Sequence, residues 1–420
     1  MKISLIVIGD EILLGQVIDS NAATIAKLVY QEGLQIYKKW TVADKSDEIQ
    51  LALIESSQQS DVILMTGGLG PTKDDITKKS LADFLMRPLV FNTVQKDHLE
   101  KILKPRGIPV TEMQLHQCYI PDQTVLLDNQ MGTALGMWIE QQGKIYVSMP
   151  GVPYEMEFIM KHSVIPKLRN YQAGNRIIHQ TVFTVGLGET EIASRIEPLL
   201  INMPEHISIA YLPSQGQVKI RLTASGSDEE NMQQELDEYI GIIQTELEAS
   251  VIGIGETSLE RELGKLLKEH HKSLATAESC TGGYLAHRIT SIPGSSDYFL
   301  GSVVAYQNRI KEALLNVSNE ILEAQGAVSE ACVIEMVKGC CRKFNSDFAI
   351  ATSGIAGPGG GSPDKPVGTV WIAYGSKTQI ETKKFQFTRD RIRNIEASAS
   401  FAMILFWKFL KSKEFLKVDN

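Results

Sequence analysis

Hydrophobic and polar positions alternate along the first 170 residues in a way that predicts a parallel sheet covered by helices. The apolar runs of strand length are 3–8, 35–42 and 62–66. The segments with apolar residues at helical spacing are 21–32, 46–58 and 75–86. This β-α-β-α order is typical of a doubly wound, mostly parallel sheet with helices on both faces. In such sheets ligands bind beyond the carboxyl ends of the strands.

Two loops follow these strands at the predicted ligand-binding edge. The first is Gly9-Asp10-Glu11, and the second, 66–75, runs Thr-Gly-Gly-Leu-Gly-Pro-Thr-Lys-Asp-Asp. Glycines that admit close backbone approach, followed by a helix start, suit a phosphate group. Because Asp74 and Asp75 would repel a pyrophosphate unless a cation lay between them, the loop predicts phosphate and metal together. The alternative is that both aspartates only complement the dipole of the following helix.

These loops, together with the later run Met-Pro-Gly-Val-Pro at 149–153, resemble the N-terminal domain of the CinA family, itself similar to molybdopterin-binding domains. The resemblance implies a nucleotide pyrophosphatase that acts on ADP-ribose with a divalent cation, Mg, Mn or Co. The substrate-binding residues it implies are Gly67, Gly68, Gly70, Pro150 and Gly151. The implied metal ligands are Asp10, Asp74 and Asp75. The related alternative is a pterin- or nucleotide-binding module without hydrolysis.

Residues 171–253 predict a small α+β connecting domain. Strand-like alternation over 177–185, 207–212 and 218–224 surrounds one helical segment, and a second helix follows at 229–248. The segment is similar to the KH-like middle domain of the same family. It lacks the basic charge and the GxxG loop that nucleic-acid binding needs, so a scaffold is expected here.

The strongest chemical signal of the chain lies at 275–284, which runs Ala-Thr-Ala-Glu-Ser-Cys-Thr-Gly-Gly-Tyr. A short strand leads into this segment and a helical pattern leaves it, so Ser279 is expected at a helix N-terminus. Backbone N–H groups at such a place can donate to an anion or to the oxyanion of an acyl-transfer intermediate. Gly282 and Gly283 would let a ligand approach closely. The alternative is that Ser279 or Thr281 merely caps the helix.

Three later positions add to this signal. Lys311 falls in the first turn of a predicted helix, where the helix dipole disfavours a cation and lowers the lysine pKa. The segment 352–361 is rich in glycine, and successive N–H groups in such a loop can form an anion nest. Arg391 is expected at a strand end, where its guanidinium could clamp a phosphate.

This C-terminal half resembles the nicotinamide mononucleotide (NMN) deamidase domain of the CinA family. The motifs that carry the resemblance are Ala-Glu-Ser-Cys-Thr-Gly-Gly, Tyr-x-Asn-x-x-Lys, Gly-Ala-Val-Ser-Glu, Ser-Gly-Ile-Ala-Gly-Pro and Lys-Pro-Val-Gly-Thr-Val. It implies Ser279 as nucleophile, Lys311 as general base and Tyr306 as a supporting catalytic residue, with no cofactor. The substrate-binding residues it implies are Thr281, Gly282, Gly283, Asn308, Ser353, Gly354, Ala356, Gly357 and Arg391. Many relatives carry a second arginine near the position of Asn394 and Ile395.

Length and composition limit the remaining possibilities. A chain of 420 residues is too long for one core, and we expect an α/β protein with domains 1–170, 171–253 and 254–420. A net charge of −8 argues against nucleic-acid or anionic-membrane partners, and no apolar run reaches the ~18 residues of a membrane span. Five cysteines without CxxC spacing predict a cytoplasmic location. The partners expected are therefore small nucleotides, NMN and ADP-ribose, and the resemblance implies a homodimer.

The family name also suggests a different class of function, a non-catalytic factor in competence. The acidic balance of the chain fits poorly with direct DNA binding, because such binding depends on neutralising phosphates with Lys and Arg. We therefore expect an amidase that converts NMN to nicotinate mononucleotide and ammonia, joined to an ADP-ribose pyrophosphatase.

Overall fold

The N-terminal part of the chain forms a six-stranded mixed sheet in the computed structural model, which describes residues 1–72, 75–171, 176–388 and 390–412. The strands of this part are β1 (Ile3–Ile8), β2 (Ile36–Val42), β3 (Val62–Thr66), β4 (Leu89–Phe91), β5 (Tyr119–Pro121), β6 (Val125–Leu127), β7 (Gly136–Gln141) and β8 (Lys144–Met149). The helices are α1 (Asp10–Leu13), α2 (Ser20–Gln31), α3 (Ser46–Gln59), α4 (Thr77–Phe84), α5 (Thr93–Leu103), α6 (Glu112–Leu115), α7 (Pro153–Ile159) and α8 (Ile165–Tyr171).

The sheet has the order β2-β1-β3-β8-β7-β6. Its first four strands are mutually parallel, and β7 and β6 add antiparallel neighbours at the far edge. Every residue of β1 and of β3 is buried, because one face packs against a cluster that includes Ile25 and the other against a cluster that includes Leu53. The predicted parallel sheet with helices on both faces is confirmed.

The predicted helix at 75–86 is shorter in the structure, where α4 covers Thr77–Phe84. Asp75 belongs instead to the preceding loop, because its carboxylate accepts hydrogen bonds from the N–H groups of Gly70 and Thr72. Met86 has a φ of 52°, which lies in the left-handed region and ends the helix.

A four-stranded sheet with two helices forms the middle part. Its elements are β9 (Arg176–Val185), α9 (Glu189–Ile196), β10 (Ile207–Ser214), β11 (Gln217–Gly226), α10 (Glu229–Leu247) and β12 (Val251–Ile254). The strands have the order β10-β11-β9-β12, in agreement with the predicted α+β domain.

The C-terminal part is a second α/β arrangement around five strands. Its elements are α11 (Leu259–Glu269), β13 (Leu274–Glu278), α12 (Tyr284–Thr290), β14 (Phe299–Val304), α13 (Asn308–Leu315), α14 (Asn319–Ala324), α15 (Glu330–Phe344), β15 (Phe348–Gly354), β16 (Thr369–Gly375), β17 (Ile380–Gln386) and α16 (Arg391–Ser412). The order is β14-β13-β15-β16-β17, with β13 parallel to both of its neighbours. The carboxyl ends of three strands therefore meet at one edge.

Contacts divide the chain into two units, residues 1–178 with 225–232 and residues 179–224 with 233–420. Most of the middle sheet thus belongs to the same unit as the C-terminal part. Phe183, Val185 and Ile252 share a buried cluster with residues of α11 and α16 such as Leu263 and Phe406. The connecting segment and the C-terminal sheet therefore have one common core. Among the described residues, no helix combines the length and the apolar character that crossing a bilayer requires.

The packing of α15 against α13 gives a first prediction. A Cβ atom added at Gly339 of α15 would lie 1.9 Å from the carbonyl oxygen of Leu315, which is backbone and cannot move freely. We expect Gly339→Ala to lower the free energy of unfolding by about 1–3 kcal/mol, because overpacking forces the helices apart. Denaturant unfolding followed by circular dichroism measures the change.

Gly241→Ala is the matched control for this variant. Gly241 also lies inside a helix, α10, but a Cβ atom there would meet nothing within 4 Å. This change should stabilise the protein by up to ~1 kcal/mol through helix propensity. Equal effects of the two substitutions would contradict the tight packing at Gly339.

Candidate active site

Ser279 and Lys311 lie in contact at the edge where the parallel strands end. Ser279 directly follows β13 and is 8% exposed, and Lys311 of α13 is 1% exposed. The lysine Nζ lies 3.0 Å from the serine Oγ. It also donates to the carbonyl oxygens of Ala305 at 2.7 Å and Tyr306 at 3.4 Å. A hydroxyl and an amine within hydrogen-bond reach have the geometry that a nucleophile and its general base require.

Neighbouring strand ends fix the position of this pair. The N–H of Ser279 donates to the carbonyl oxygen of Thr352 in β15, and the N–H of Ala305, after β14, donates to the carbonyl oxygen of Glu278. The segment that carries Ser279 is therefore tied on one side to the chain that leads into Lys311 and on the other to β15.

Burial lowers the pKa of Lys311 from its ordinary value, and the nearby thiols of Cys332 and Cys280 oppose the shift only in part. Desolvation penalises the charged ammonium, and no carboxylate hydrogen-bonds to Nζ within the described ranges. The contacts favour an amine that is neutral at a lower pH than an ordinary lysine, as a general base requires.

Arg391 was predicted at a strand end, but it is the first residue of α16. The error arises because β17 ends at Gln386 and a short connection separates the two elements. The guanidinium donates to the carbonyl oxygen of Gly357 at 2.7 Å and to the hydroxyl of Tyr306 at 2.8 Å. Arg391, Tyr306 and Gly357 therefore come together beside Lys311, and Tyr306 is 55% exposed.

Asn394, which stands near the position of the second arginine in many relatives, is 1% exposed. Its Nδ2 donates to the carbonyl oxygens of Ala356 at 2.9 Å and Thr388 at 3.1 Å. Its Oδ1 accepts from the Thr388 hydroxyl at 3.2 Å. Asn394 is thus a buried connection between two loops, and its amide has no donor left for a phosphate.

The loop after β15 places the other predicted binding residues in different ways. The Ser353 hydroxyl donates to the carbonyl oxygen of Ala327 at 2.7 Å. Gly354 packs against β16, where an added Cβ atom would lie 2.5 Å from Val370 Cγ2. Ala356 and Gly357 direct carbonyl oxygens, rather than the expected N–H groups, toward Asn394 and Arg391. Asn308 is an exposed residue at the start of α13.

The prediction that Ser279 lies at a helix N-terminus is wrong. The structure starts α12 at Tyr284, with Gly283 as the N-cap residue. The Thr281 hydroxyl, expected at the substrate, is buried and donates to the Glu278 carboxylate at 2.7 Å. Gly282 has a φ of 61° and open space at its Cβ position, so this glycine does expose backbone to a ligand.

Glu278 is the residue that sequence reasoning missed. Its carboxylate is fully buried and accepts hydrogen bonds from the first N–H groups of the Gly283–Ala286 segment. The available signal was its position, because a glutamate at the end of an otherwise apolar strand must find partners on burial. The helix start is consequently occupied by a side chain of the protein itself.

Cys280, adjacent to the candidate nucleophile, is 6% exposed. Burial is the main reason that its pKa rises to about 12, and the negative charge of Glu278 adds to the rise. A thiol with this pKa stays protonated at neutral pH and is a poor nucleophile. The environment therefore favours Ser279 over Cys280.

At the other predicted site, the strand ends of the N-terminal sheet also converge. Gly67 has a φ of 112°, and a Cβ atom there would lie 2.2 Å from the carbonyl oxygen of Ile8. Asn21, which sequence reasoning missed, donates to the carbonyl oxygen of Gly151 at 2.7 Å and to the Thr66 hydroxyl at 3.1 Å. The Thr66 hydroxyl in turn donates to the carbonyl oxygen of Pro150. The loops of Gly67 and Gly151 are thus held together.

Unpaired polar atoms are buried at the same place. Asn21 Oδ1 and the Thr77 hydroxyl have no hydrogen-bond partner among the residues that the structure describes, although both residues are at least nine-tenths buried. A Cβ atom at Gly68 would lie 2.2 Å from this Thr77 hydroxyl. Orphaned polar atoms beside glycine backbone are typical of a site that completes its hydrogen bonds with a ligand.

Two of the predicted metal ligands, Asp10 and Asp75, both lie near Asp44. The pKa of Asp44 is raised by burial and by the negative charges of Asp10, Glu11 and Asp75, so the two loops meet. The oxygens of Asp75, however, already accept from Gly70 and Thr72. The described residues include no group of three His, Cys, Asp or Glu side chains placed to hold a metal ion. Asp74, the third predicted ligand, lies outside the described residues.

A cavity of about 380 Å³ opens beside this loop. Its lining is Gly70, Pro71, Thr72, Asp75, Lys78, Lys79, Leu89, His116 and Tyr119. Burial lowers the pKa of Lys78 to about 8, so its amine remains mostly charged at neutral pH. Lys78 Nζ donates to the carbonyl oxygen of His116 at 3.1 Å, so the lining brings a cation together with aromatic side chains, both of which a nucleotide site uses.

The burial of the thiols gives a prediction that separates the two candidate nucleophiles. All five cysteines are free and buried. We expect a thiol reagent to leave the native protein unmodified at neutral pH and to modify all five thiols after unfolding in denaturant. We also expect Cys280→Ala to keep most of the catalytic activity. Rapid native modification of Cys280 that abolishes activity would reverse the assignment.

Comparisons with known proteins agree with this division of the chain. The family descriptions that match are "Probable molybdopterin binding domain" over residues 4–170, the damage-inducible protein CinA KH domain over 179–253, and the CinA C-terminal domain over 256–410. A crystal structure of a competence-damaged protein (CinA) superfamily member from Klebsiella pneumoniae is 37% identical. It covers 37% of this chain and 97% of its own, with a TM-score of 0.36.

Two curated relatives align with nearly the whole chain. A CinA-like protein from Cytophaga hutchinsonii is 43% identical and covers 97% of this chain and 97% of its own. A CinA-like protein from Flavobacterium psychrophilum is 39% identical and covers 97% of this chain and 98% of its own. With all three family domains in order and relatives of this identity over the full length, the chain belongs to the CinA family.

Proposed function

We propose that the C-terminal site hydrolyses the carboxamide of NMN to nicotinate mononucleotide and ammonia. The observation that carries the proposal is the contact between Ser279 Oγ and the buried amine of Lys311, 3.0 Å apart. Serine-lysine pairs of this kind serve acyl transfer, in which an amide is the simplest substrate. The chain belongs to the CinA family, and the motifs of its C-terminal half resemble those of NMN deamidases. This resemblance supports NMN as the substrate.

The reaction runs in two stages. Ser279 Oγ attacks the carboxamide carbon while its proton passes to the Lys311 amine, and a tetrahedral oxyanion forms. The ammonium then returns this proton to the departing nitrogen, which leaves as ammonia, and an acyl-enzyme ester remains. Water attacks the ester, loses a proton to Lys311 and releases nicotinate mononucleotide as Ser279 recovers its hydroxyl proton.

Backbone and guanidinium groups supply the remaining interactions. The N–H groups of Cys280 and Thr281 donate to no protein oxygen in the described part of the chain, so we assign the oxyanion to the backbone of these two residues. Arg391 uses two of its nitrogens on Gly357 and Tyr306, and its other donors can bind the 5′-phosphate of the substrate. The guanidinium would thus compensate the phosphate charge, which would otherwise favour the ammonium form of the neighbouring Lys311.

Lys311 gives the test of the amidase. We expect Lys311→Met and Lys311→Arg to lose activity on NMN as completely as Ser279→Ala, because guanidinium cannot give up its proton. The double variant Ser279→Ala with Lys311→Met should be no worse than either single one, since the residues act as a unit. An active Lys311→Arg enzyme would falsify the base role, and a wild type inert on NMN would overturn the substrate assignment.

Stability provides a second measurement on the same residue. The folded pKa of Lys311 is lowered, so between that value and the unfolded reference of about 10.5 the unfolded state binds more protons than the folded one. The free energy of unfolding of the wild type therefore gains a component that rises with pH across this window. Lys311→Met should lack this component, and its stability advantage over the wild type should shrink as pH rises. Parallel pH profiles would contradict a buried, titrating amine.

We further propose that the N-terminal site hydrolyses the pyrophosphate of ADP-ribose with a divalent cation. The observation that favours this second function is the cavity, which joins Lys78 and the Gly70 loop to Tyr119 and His116. The lysine amines of the lining would bind the phosphates, and its aromatic side chains would contact the base. The cation would act as a Lewis acid toward the phosphate oxygens, with Asp10, Asp74 and Asp75 as its proposed ligands.

Lys78 gives the test of this second function. Lys78→Met should raise the KM for ADP-ribose about 10- to 100-fold, the effect of losing one charge-assisted hydrogen bond of ~1.5–3 kcal/mol. Lys101→Met, which changes an exposed lysine of α5, is the control and should leave KM unchanged. Hydrolysis should stop when a chelator is added. If the protein binds a pterin or nucleotide tightly but does not hydrolyse ADP-ribose, the N-terminal domain is a binding module and the proposed pyrophosphatase function is wrong.

A further inference from the structure

Glu278 is the last residue of β13, directly before Ser279, and its side chain is fully buried. Its carboxylate accepts four close hydrogen bonds, from the Thr281 hydroxyl at 2.7 Å and from the N–H groups of Gly283 at 3.0 Å, Leu285 at 3.0 Å and Ala286 at 2.8 Å. A buried carboxylate without partners would be strongly destabilising. Here the unpaired N–H groups at the start of α12 supply the partners.

These hydrogen bonds close a ring around the loop 279–283. The backbone of Glu278 is the beginning of the loop, and its carboxylate holds the end of the loop at Gly283. The loop therefore has both ends fixed by one residue. A second layer fixes its middle, because the hydroxyls of Thr281 and Thr352 lie 2.7 Å apart.

The same residue is connected to the base. The carbonyl oxygen of Glu278 accepts from the N–H of Ala305 at 2.7 Å, and the carbonyl oxygen of Ala305 accepts from Lys311 Nζ at 2.7 Å. Glu278 thus contacts, through its side chain, the loop of the nucleophile and, through its backbone, the peptide that orients the amine. Its own carboxylate contacts neither Ser279 Oγ nor Lys311 Nζ among the hydrogen bonds of the described residues.

We propose that Glu278 is a positioning residue of the amidase, whose buried carboxylate holds the 279–283 loop so that Ser279 Oγ stays within reach of Lys311. The inference rests on the proposed amidase function. It also implies that α12 contributes no oxyanion donor, because the N–H groups at its start are occupied. If Glu278 served only as a stabilising cap of α12, its substitution would not change the reactivity of Ser279.

Glu278→Gln is the variant that tests the inference. An amide keeps the size of the side chain but turns an NH₂ group toward N–H donors, so the ring around the loop opens. We expect kcat on NMN to fall about 100-fold, the scale of a 1 Å misplacement of a catalytic group, while KM stays within about 2-fold. Thr281→Val, which removes a single hydrogen bond of the ring, should lower kcat less and in the same direction.

Asp347→Asn is the control, at a carboxylate that is exposed where that of Glu278 is buried. Asp347 precedes β15 at the opposite end of the same strands, and its carboxylate likewise accepts from an N–H and a hydroxyl, both of Ser273. This variant should lower the melting temperature without changing kcat. If Glu278→Gln and Asp347→Asn lose stability equally and both keep the wild-type kcat, Glu278 is only a structural cap and the proposal is wrong.

A serine-directed fluorophosphonate separates this inference from the proposed substrate. The reagent should label Ser279 of the wild type, and the labelling rate should fall in Glu278→Gln by about the same factor as kcat. A wild type that is labelled but inert on NMN would overturn the proposed function and leave the labelling rates to decide on Glu278. Wild-type labelling rates in folded Glu278→Gln would overturn the positioning role, and an unlabelled wild type would overturn both.

Discussion

The C-terminal site depends on keeping a lysine amine buried without a carboxylate partner. Lys311 is almost completely buried, and its nitrogen meets two carbonyl oxygens and the hydroxyl of Ser279. Carbonyl groups accept hydrogen bonds from a neutral amine as well as from an ammonium, but they do not compensate the desolvation of the charge. The pKa of Lys311 is thus lowered because Nζ is buried and has no carboxylate as a hydrogen-bond partner among the described residues. A carboxylate hydrogen-bonded to Nζ would favour the ammonium form and so oppose the proposed role of Lys311 as a base.

Parallel strand ends explain why this geometry is possible in a small α/β sheet. Because β13 lies between two parallel neighbours, chain segments that are 32 residues apart in sequence leave the sheet at the same edge. Each can present one side chain and one set of backbone groups to the same space. The N-terminal sheet uses the same principle, with loops after β1, β3 and β8 meeting at Gly67 and Gly151.

Much of this arrangement was predictable from the sequence, because strand order and strand ends follow from hydrophobic pattern and glycine position. The buried strands at 3–8 and 62–66 agree with the sequence prediction, and the structure brings Ser279 within 3.0 Å of Lys311, the residue that the family resemblance pairs with it. Glu278 and Asn394 were not assigned their roles, since a polar residue at a strand end or in a helix does not reveal which backbone groups it will meet. Arg391 was misplaced because β17 ends at Gln386, and polar residues between a strand and a helix do not show which of the two elements they belong to.

The shared core of the middle and C-terminal parts also limits how this protein could be divided. Phe183, Val185 and Ile252 are at most 7% exposed, and they pack with α11 and α16 rather than in a core confined to their own sheet. Cutting the chain at the family boundary near 254 would uncover an apolar surface on both pieces. Solubility of the separated catalytic piece would then require new polar residues on that surface. The connecting segment is therefore an integral part of the C-terminal core and not a linker.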